Sequence, residues 1–299
     1  MERELWRIVT AALKRLPRRR GRGQLYSSAD ILAVLLWAAL HERSILWACQ
    51  RRHWPVQAWR RALPDQSTMS RRLRDPRVLD DLKALMHMLQ DACLSSDDGM
   101  VRVDGKPLAV SWFSQDHDAR AGWGAGQQQR GYKLHAMTRS ALRLIDFEVE
   151  PMNVPESIVA ETLLRNASAR GRLPRDGIAL ADASYDTNPL HAAAHECGVQ
   201  LLAPRRRPGT GISTKHVQHP GRVLSVTLLE GDEAIAKWQR AERACIEHFF
   251  ANLTNRVRLN HLPPWVRTLR RVRLWVAAKV TLHAAAVAHA ARAKQQSVA

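Results

Sequence analysis

Apolar and polar positions in the first 98 residues recur at helical spacing. Ser27–Glu42 starts with cap-type residues and is apolar on every side, which predicts a buried core helix. A turn at Pro64-Asp65 precedes the short basic helix Thr68–Arg74, and the pair resembles the second half of a helix-turn-helix at 55–75. The pattern predicts an all-helical DNA-binding region whose short helix contacts DNA through Arg71, Arg72 and Arg74. A basic surface helix in a bundle is the alternative.

The pattern changes after the polar linker at 95–99. Runs typical of β-strands follow at Val101–Gly105, 131–137 and 142–149, and helical and strand-like segments then alternate. Antiparallel strands followed by a strand–helix–strand unit predict an α/β fold, a mixed sheet with helices on its faces.

This change of pattern divides the chain into two predicted domains. The first, at 1–98, is helical, and the second, at 99–299, contains the sheet. Within the second domain we predict a basic loop insertion at 204–222 and C-terminal helices at 232–293.

Charge narrows the range of partners. The 299 residues include 46 Lys and Arg against 28 Asp and Glu, a net charge of +18. Such a surplus favours a polyanionic partner, because phosphates neutralised by many cations release their counterions. Four widely spaced cysteines fit a reducing compartment and argue against a disulfide framework or a zinc finger. The longest apolar run, Ile31–Leu40, is half the ~20 residues that span a bilayer. We expect a cytoplasmic, nucleoid-associated protein.

Three acidic residues stand where acids are unusual. Asp104 ends the run VRVD before Gly105, and Asp182 ends the run IALAD, so both are predicted at strand ends. Glu247 adjoins the buried stripe of a predicted helix. Two strand-end aspartates and a helical glutamate suit two hard divalent ions that assist an in-line phosphoryl transfer. Each acid also has an ordinary interpretation, such as a loop cap or, for Glu247, a surface pair with Arg243.

Asp186 competes with Asp182 as the second acid. It precedes Thr187-Asn188-Pro189, so we interpret it as the cap of the next helix. Asp182 is preferred because a strand end is rigid and a metal ligand needs fixed geometry.

The motifs VDGKPL, GYKLHAM, ALADASYD and RACIEHFF occur in this order. Their order resembles the DDE transposases of bacterial insertion sequences, specifically the insertion-sequence-four-like group, over roughly residues 100–258. The resemblance implies a ribonuclease-H-like mixed sheet flanked by helices. It also implies a catalytic triad of Asp104, Asp182 and Glu247 that holds two Mg²⁺ or Mn²⁺ ions.

The final signature of that group is Tyr, two residues, Arg, three residues, Glu, six residues, Lys. Arg243 and Glu247 keep the spacing, whereas Arg240 stands at the Tyr position and Thr254 at the Lys position. Arg256, two residues later, is a candidate for the lost positive charge. The departures concern the DNA-end contacts around Glu247 more than the triad. Our candidate phosphate contacts in this domain are Lys133, Arg240, Arg243 and Arg256.

The resemblance implies a transposase that cleaves and transfers insertion-sequence DNA ends. Its partners would be the double-stranded terminal inverted repeats and the target DNA, bound by a homodimer. A catalytically inactive or repurposed transposase, acting as a sequence-specific DNA-binding protein, is the alternative. A nuclease of the same fold that cuts but never joins strands is another.

Three further motifs are set aside. His191 and His195 have the spacing of a helical zinc pair but lack a third ligand. Residues 117–120 (HDAR) mimic part of a tyrosine recombinase site without a suitably placed tyrosine. Glycine-rich Ala121–Gly126 lacks the Lys and Ser/Thr of a P-loop, and we interpret it as a mobile loop.

Overall fold

The chain forms two compact units. The computed structural model describes residues 2–17, 25–55, 62–91, 98–209, 212 and 217–298, with side chains to 293. Backbone contacts separate a helical unit, 1–94 with 253–299, from an α/β unit, 95–252. Each is described by itself.

In the described part of the chain after residue 98, four strands come first, and helices and strands then alternate up to Gly231. The helices are α1 (Glu2–Leu13), α2 (Ser28–Leu40), α3 (Ile45–Ala48), α4 (Gln66–Arg72), α5 (Arg77–Asp91), α6 (Glu156–Ala169), α7 (Asn188–Glu196), α8 (Pro220–Gly231), α9 (Glu233–Arg243), α10 (Cys245–Val257) and α11 (Leu269–Val298). The strands are β1 (Met100–Ala109), β2 (Arg120–Gly124), β3 (Gln127–Thr138), β4 (Leu144–Pro151), β5 (Gly177–Leu180) and β6 (Val199–Leu202).

The core of the helical unit contains α2, as its pattern predicted. The Ser27 side chain caps α2 by accepting a hydrogen bond from the Asp30 N–H, and the Asp30 carboxylate accepts one from the Ser27 N–H. Two otherwise unpaired N–H groups are thereby satisfied. The apolar side chains from Ile31 to Ala39 are buried. Trp37 stacks on Trp54 with ring centroids 4.7 Å apart, so large aromatic rings fill this core.

The C-terminal helix corrects the predicted domain division. We expected helices at 232–293 within the second domain, but α11 packs against α1, α2 and α5 in the helical unit. Its stretch Leu269–Ala293 is long and apolar enough to cross a membrane, yet 78% of the most apolar window is buried inside the protein. That burial is typical of the central helix of a bundle.

The predicted helix-turn-helix at 55–75 is described only in part, because residues 56–61 lie outside the described residues. Its short helix is present as α4, capped by Asp65, whose carboxylate accepts a hydrogen bond from the Thr68 backbone at 2.6 Å. The motif itself stays a prediction.

The α/β unit contains a six-stranded mixed sheet, which confirms the predicted class. The strand order is β2-β3-β1-β5-β6, and β4 pairs with the second half of β3, from Tyr132 to Thr138. β1 runs antiparallel to β3 and parallel to β5, and β5 is parallel to β6. Helices α6 and α7 pack on each other and on the sheet, where their apolar residues join those of β1 and β5 in one core.

Three local expectations in this unit were wrong. The strand predicted at Val101–Gly105 extends to Ala109, because its antiparallel pairing with β3 continues to that residue. Ala121–Gly126 is not a loop: β2 and a tight turn at Ala125-Gly126, both with positive φ, form a hairpin with β3. The basic segment 204–222 ends inside α8, which starts at Pro220; residues 210–211 and 213–216 of it lie outside the described residues.

Candidate active site

Asp104 lies in the middle of β1, not at its end as the sequence suggested. On one side β1 pairs with β3, where Ala136 is opposite Asp104. On the other side the pairing with β5 stops at Arg102, which is opposite Leu180. Asp104 therefore stands at the fork where β1 continues and its parallel neighbour ends. A residue at such a fork has one flank free of backbone pairing.

Asp182 occupies the corresponding place on the neighbouring strand. Asp104 is two residues beyond Arg102, and Asp182 is two residues beyond Leu180, in strands that run the same way and lie about 4.8 Å apart. The sheet thus brings two acids together that are 78 positions apart in the sequence.

The Asp182 carboxylate is anchored through one oxygen only. Its Oδ1 accepts hydrogen bonds from the Ser184 backbone N–H at 2.7 Å and lies 2.6 Å from Ser184 Oγ, at the start of the 3-10 turn Ala183–Tyr185. Its Oδ2 has no hydrogen-bond partner among the described residues. The side chain is therefore held in place with one oxygen left available.

Arg243 connects Asp104 with Glu247. Its guanidinium donates to Asp104 Oδ2 at 3.2 Å and to Glu247 Oε1 at 3.0 Å. Glu247 lies in the first turn of α10 and is 58% exposed. The pair expected between Glu247 and the arginine four residues earlier is thus present, and that arginine also links Glu247 to Asp104.

The site concentrates negative charge. Burial raises the pKa of Asp104 to about 6; the nearby carboxylates of Asp182 and Glu156 raise it too, against the Gly105 backbone hydrogen bond and the Arg243 charge. No group of three His, Cys, Asp or Glu side chains in the described part of the chain is arranged to hold a metal ion. The donor set nevertheless fits a divalent cation, because a buried surplus of carboxylate oxygens is what such an ion neutralises.

Glu156 and Ser184 are site residues that sequence reasoning missed. Glu156 is the first residue of α6; its Oε2 lies 2.6 Å from Ser184 Oγ, and its Oε1 pairs with Lys133. Nothing in the pattern marked Glu156, because an acid in the first turn of a helix is ordinary. The motif ALADASYD did contain Ser184, but only as a neighbour of Asp182.

The predicted phosphate contacts differ in their availability. Lys133 is buried, pairs with Glu156 and donates to the Trp123 carbonyl, so it would have to leave these partners to meet a phosphate. Arg240 is exposed on α9 and Arg256 is exposed on α10, within the part of that helix that belongs to the helical unit. Arg243 is engaged with the two acids described above.

Three arginines lie in α4 or just after it, Arg71 and Arg72 in the helix and Arg74 beyond its C-cap Leu73. Arg71 and Arg74 are exposed. Arg72 is half-buried and donates to the Tyr26 carbonyl at 2.7 Å, and burial lowers its pKa. Arg72 therefore has a structural contact within the helical unit.

Asp186 and the histidine pair have other partners. Asp186 does not cap α7, which starts after Thr187; it forms a bidentate pair with Arg222, with both distances 2.7 Å. His191 is buried 3.4 Å from Asp186, and the ring of His195 meets that of His219 edge-on. These contacts support setting aside both the second-acid role of Asp186 and the zinc pair.

Comparison with known proteins gives a family match and a structural match. Residues 95–284 match the family described as a transposase DDE domain. A cryo-EM structure described as the piggyBac transposase synaptic complex with hairpin DNA superposes with a TM-score of 0.50 and 11% sequence identity, over 99% of this chain and 73% of that chain. At that identity the likeness concerns the fold, and it confirms the ribonuclease-H-like class. None of the curated proteins matches this chain.

Proposed function

We propose that this chain, which belongs to the DDE transposase family, cleaves and joins the DNA ends of an insertion sequence of the insertion-sequence-four-like group. The observation that carries the proposal is the placement of Asp104 and Asp182 at equivalent positions of adjacent parallel strands, with Glu247 joined to Asp104 through Arg243. This arrangement is what an acid triad requires when it works on phosphodiesters.

Asp104, Asp182 and Glu247 would hold two Mg²⁺ or Mn²⁺ ions. When bound, such ions activate the attacking oxygen and stabilise the leaving oxygen of a phosphoryl transfer. The protein contributes orientation: Asp104 is fixed by the Gly105 N–H at 2.7 Å and by Arg243, and Asp182 by Ser184. Neither Asp182 Oδ2 nor Glu247 Oε2 has a hydrogen-bond partner among the described residues, so both are available as ligands.

The DNA partner is supported by charge. The net charge of +18 and the exposed Arg71 and Arg74 suit the terminal repeats, and Arg240 is exposed in the last turn of α9. The piggyBac structure contains hairpin DNA, which supports a DNA substrate for a chain of the same fold. Because two ends have to be joined, we propose that a homodimer acts on both.

The principal alternative is a DNA-binding protein without catalysis. It is favoured by Arg240 and Thr254, which replace the Tyr and Lys of the group. The intact pair Asp104 and Asp182, each oriented by protein donors, favours catalysis instead.

Asp104→Asn tests the proposal. The substrate is a duplex of the genomic DNA that flanks the coding sequence, with Mg²⁺ or Mn²⁺. We expect the cleavage rate to fall on the order of a thousandfold or more, since a carboxylate that stabilises the transition state is lost, while binding without metal is retained. Asp118→Asn, which neutralises an exposed aspartate, is the matched control. Cleavage by Asp104→Asn at the wild-type rate would refute the metal mechanism.

Further outcomes separate the alternatives. Binding of the end duplex without metal-dependent nicking by the wild type would support the DNA-binding protein. Nicking without transfer of the cut strand to a second duplex would support a nuclease.

A further inference from the structure

The Ser184 hydroxyl lies between two carboxylates. Its Oγ is 2.6 Å from Asp182 Oδ1 and 2.6 Å from Glu156 Oε2. A hydroxyl has one hydrogen and can donate it to one of these oxygens at a time. Asp182 Oδ1 also accepts from the Ser184 backbone N–H, so it keeps a donor when the hydroxyl turns to Glu156. Ser184 thus joins the acid at the end of β5 to the first residue of α6.

Lys133 fixes the other end of this bridge. Its ammonium pairs with Glu156 Oε1 and donates to the Trp123 carbonyl at 3.0 Å, and its side chain is only 7% exposed. A β carbon added at Gly105 would lie 2.7 Å from Lys133 Cδ, so the glycine leaves the space through which the lysine stem passes. The Glu156 carboxylate also lies at the N-terminus of α6, where the helix dipole favours negative charge. Its orientation is therefore fixed from several sides.

Tyr185 adds a buried donor next to these acids. Its hydroxyl is fully buried and has no hydrogen bond of ordinary geometry among the described residues. Burial and the charges of Glu156, Asp104 and Asp182 raise its pKa well above the usual value. A buried hydroxyl without an ordinary hydrogen bond is costly, which favours its interaction with the Glu156 carboxylate. The Glu156 carboxylate therefore has a second buried hydroxyl near it, besides that of Ser184.

We propose that Glu156 is a positioning residue for Asp182, which acts through the Ser184 hydroxyl and is itself held by Lys133. The inference rests on the proposed function, because it assumes that Asp182 is a metal ligand. The bridge holds Oδ1, so that Oδ2 of Asp182, which has no hydrogen-bond partner among the described residues, is the oxygen left for a metal ion. Groups that orient a metal ligand in this way typically change metal affinity ten- to a hundredfold when removed.

The test measures Mn²⁺ binding to the full-length protein by calorimetry, without DNA. Ser184→Ala removes the bridge and leaves the Lys133–Glu156 pair intact, whereas Glu156→Gln weakens the pair and keeps a hydrogen-bonding group. We expect both variants to bind Mn²⁺ about ten- to a hundredfold more weakly. Ser184→Thr, which retains the hydroxyl, should restore affinity. Glu161→Gln alters a surface acid of the same helix, paired with Arg165, and should have no effect.

The thermal unfolding midpoint distinguishes positioning from a merely structural role. Weaker Mn²⁺ binding by Ser184→Ala with an unchanged midpoint supports the proposal, and this variant carries the test if Glu156→Gln does not fold. Mn²⁺ affinity of Ser184→Ala equal to that of the wild type overturns it. Asp182→Asn separates the two proposals: if it loses Mn²⁺ binding while Ser184→Ala does not, only the positioning role fails. A wild type that binds no Mn²⁺ overturns the metal mechanism and this inference together.

Discussion

The α/β unit and the segment around α4 of the helical unit use arginine in different ways. In the α/β unit, arginines hold acids at fixed positions: Arg102 pairs with Asp98 and Glu242, Arg165 with Glu161 and Glu196, Arg170 with Asp146, Arg205 with Glu230, Arg222 with Asp186, and Arg243 with Asp104 and Glu247. In the helical unit Arg7 and Arg77 also pair with acids, Glu4 and Asp75. Arg71 on α4 and Arg74 just after it are instead exposed without a carboxylate partner among the described residues.

This difference shows that net charge alone does not locate a DNA-binding surface. The charge of a paired arginine is already neutralised by a neighbouring carboxylate, and contact with a phosphate would require that pair to open. An exposed, unpaired arginine can neutralise a phosphate at little cost. The charge of +18 is thus divided between arginines that organise the α/β unit and arginines that are available to DNA.

Arg102→Ala is expected to have the largest effect on stability. The Arg102 side chain is 2% exposed, pairs with Asp98 at 2.8 Å and Glu242 at 2.7 Å, and also donates to the Arg139 carbonyl. The substitution leaves a cavity where the buried side chain lay and removes the donor to the Arg139 and Glu242 carbonyls, so we expect a loss of about 3–5 kcal/mol in the free energy of unfolding. Urea denaturation followed by circular dichroism measures it.

Arg165→Ala is the matched control for Arg102. It also removes an arginine that pairs with two acids, Glu161 and Glu196, but these pairs lie at the surface, where solvent screens them. We expect no measurable change in the free energy of unfolding. Equal losses for Arg102→Ala and Arg165→Ala would mean that burial does not decide the value of these pairs.

Arg243→Ala tests whether a paired arginine can serve catalysis. The substitution removes the donor to Asp104 and Glu247 together and the positive charge that lowers the pKa of Asp104. We expect single-turnover cleavage to slow about a hundredfold. Arg243→Lys keeps the charge but cannot donate to both carboxylates in the same geometry. Its cleavage rate should lie between those of the wild type and Arg243→Ala. Wild-type cleavage by Arg243→Ala would remove Arg243 from the catalytic arrangement.

Local pattern predicted the second aspartate better than the first. Asp182 was found because an apolar run ends just before it, and β5 does end at Leu180. Asp104 was predicted at a strand end because Gly105 follows it. Pairing with β3 overrides that local preference, and only the partner strand shows it.

Long-range contacts account for what the sequence could not indicate. Glu156 belongs to the site because α6 begins beside Ser184, 28 positions later in the chain. The C-terminal helix was assigned by its position in the chain, whereas its apolar faces pack against α1, α2 and α5. Neither relationship has a local signature, because periodicity identifies a buried face and not the element that covers it.

Asp186→Asn tests a paired arginine by acid titration. Burial tends to raise the pKa of Asp186, but the bidentate bond from Arg222 and the contact with His191 lower it to about 2. Because the pKa is lower in the folded state than the usual 3.8, the charge stabilises the fold above about pH 4, and this contribution is lost as the pH falls toward 2. We expect Asp186→Asn to lower the free energy of unfolding by about 2 kcal/mol at pH 6, measured by urea denaturation.

The pH profile checks the sign of that effect. The difference in unfolding free energy between the wild type and Asp186→Asn should shrink steadily between pH 4 and pH 2. A difference that grows on acidification would contradict the lowered pKa.

The double variant Arg71→Ala, Arg74→Ala should have the smallest effect of these substitutions, and the effect should be limited to the free energy of DNA binding. Loss of two phosphate contacts should weaken binding of the end duplex about tenfold and reduce the slope of log affinity against log salt by roughly 1.8. Cleavage at saturating protein should be unchanged, since no acid of the α/β unit is altered. Arg72→Ala is the control, because Arg72 donates to the Tyr26 carbonyl and its loss should lower stability instead. If the slope of log affinity against log salt is unchanged in the double variant, Arg71 and Arg74 do not contact DNA. The alternative of a basic surface helix in a bundle then stands.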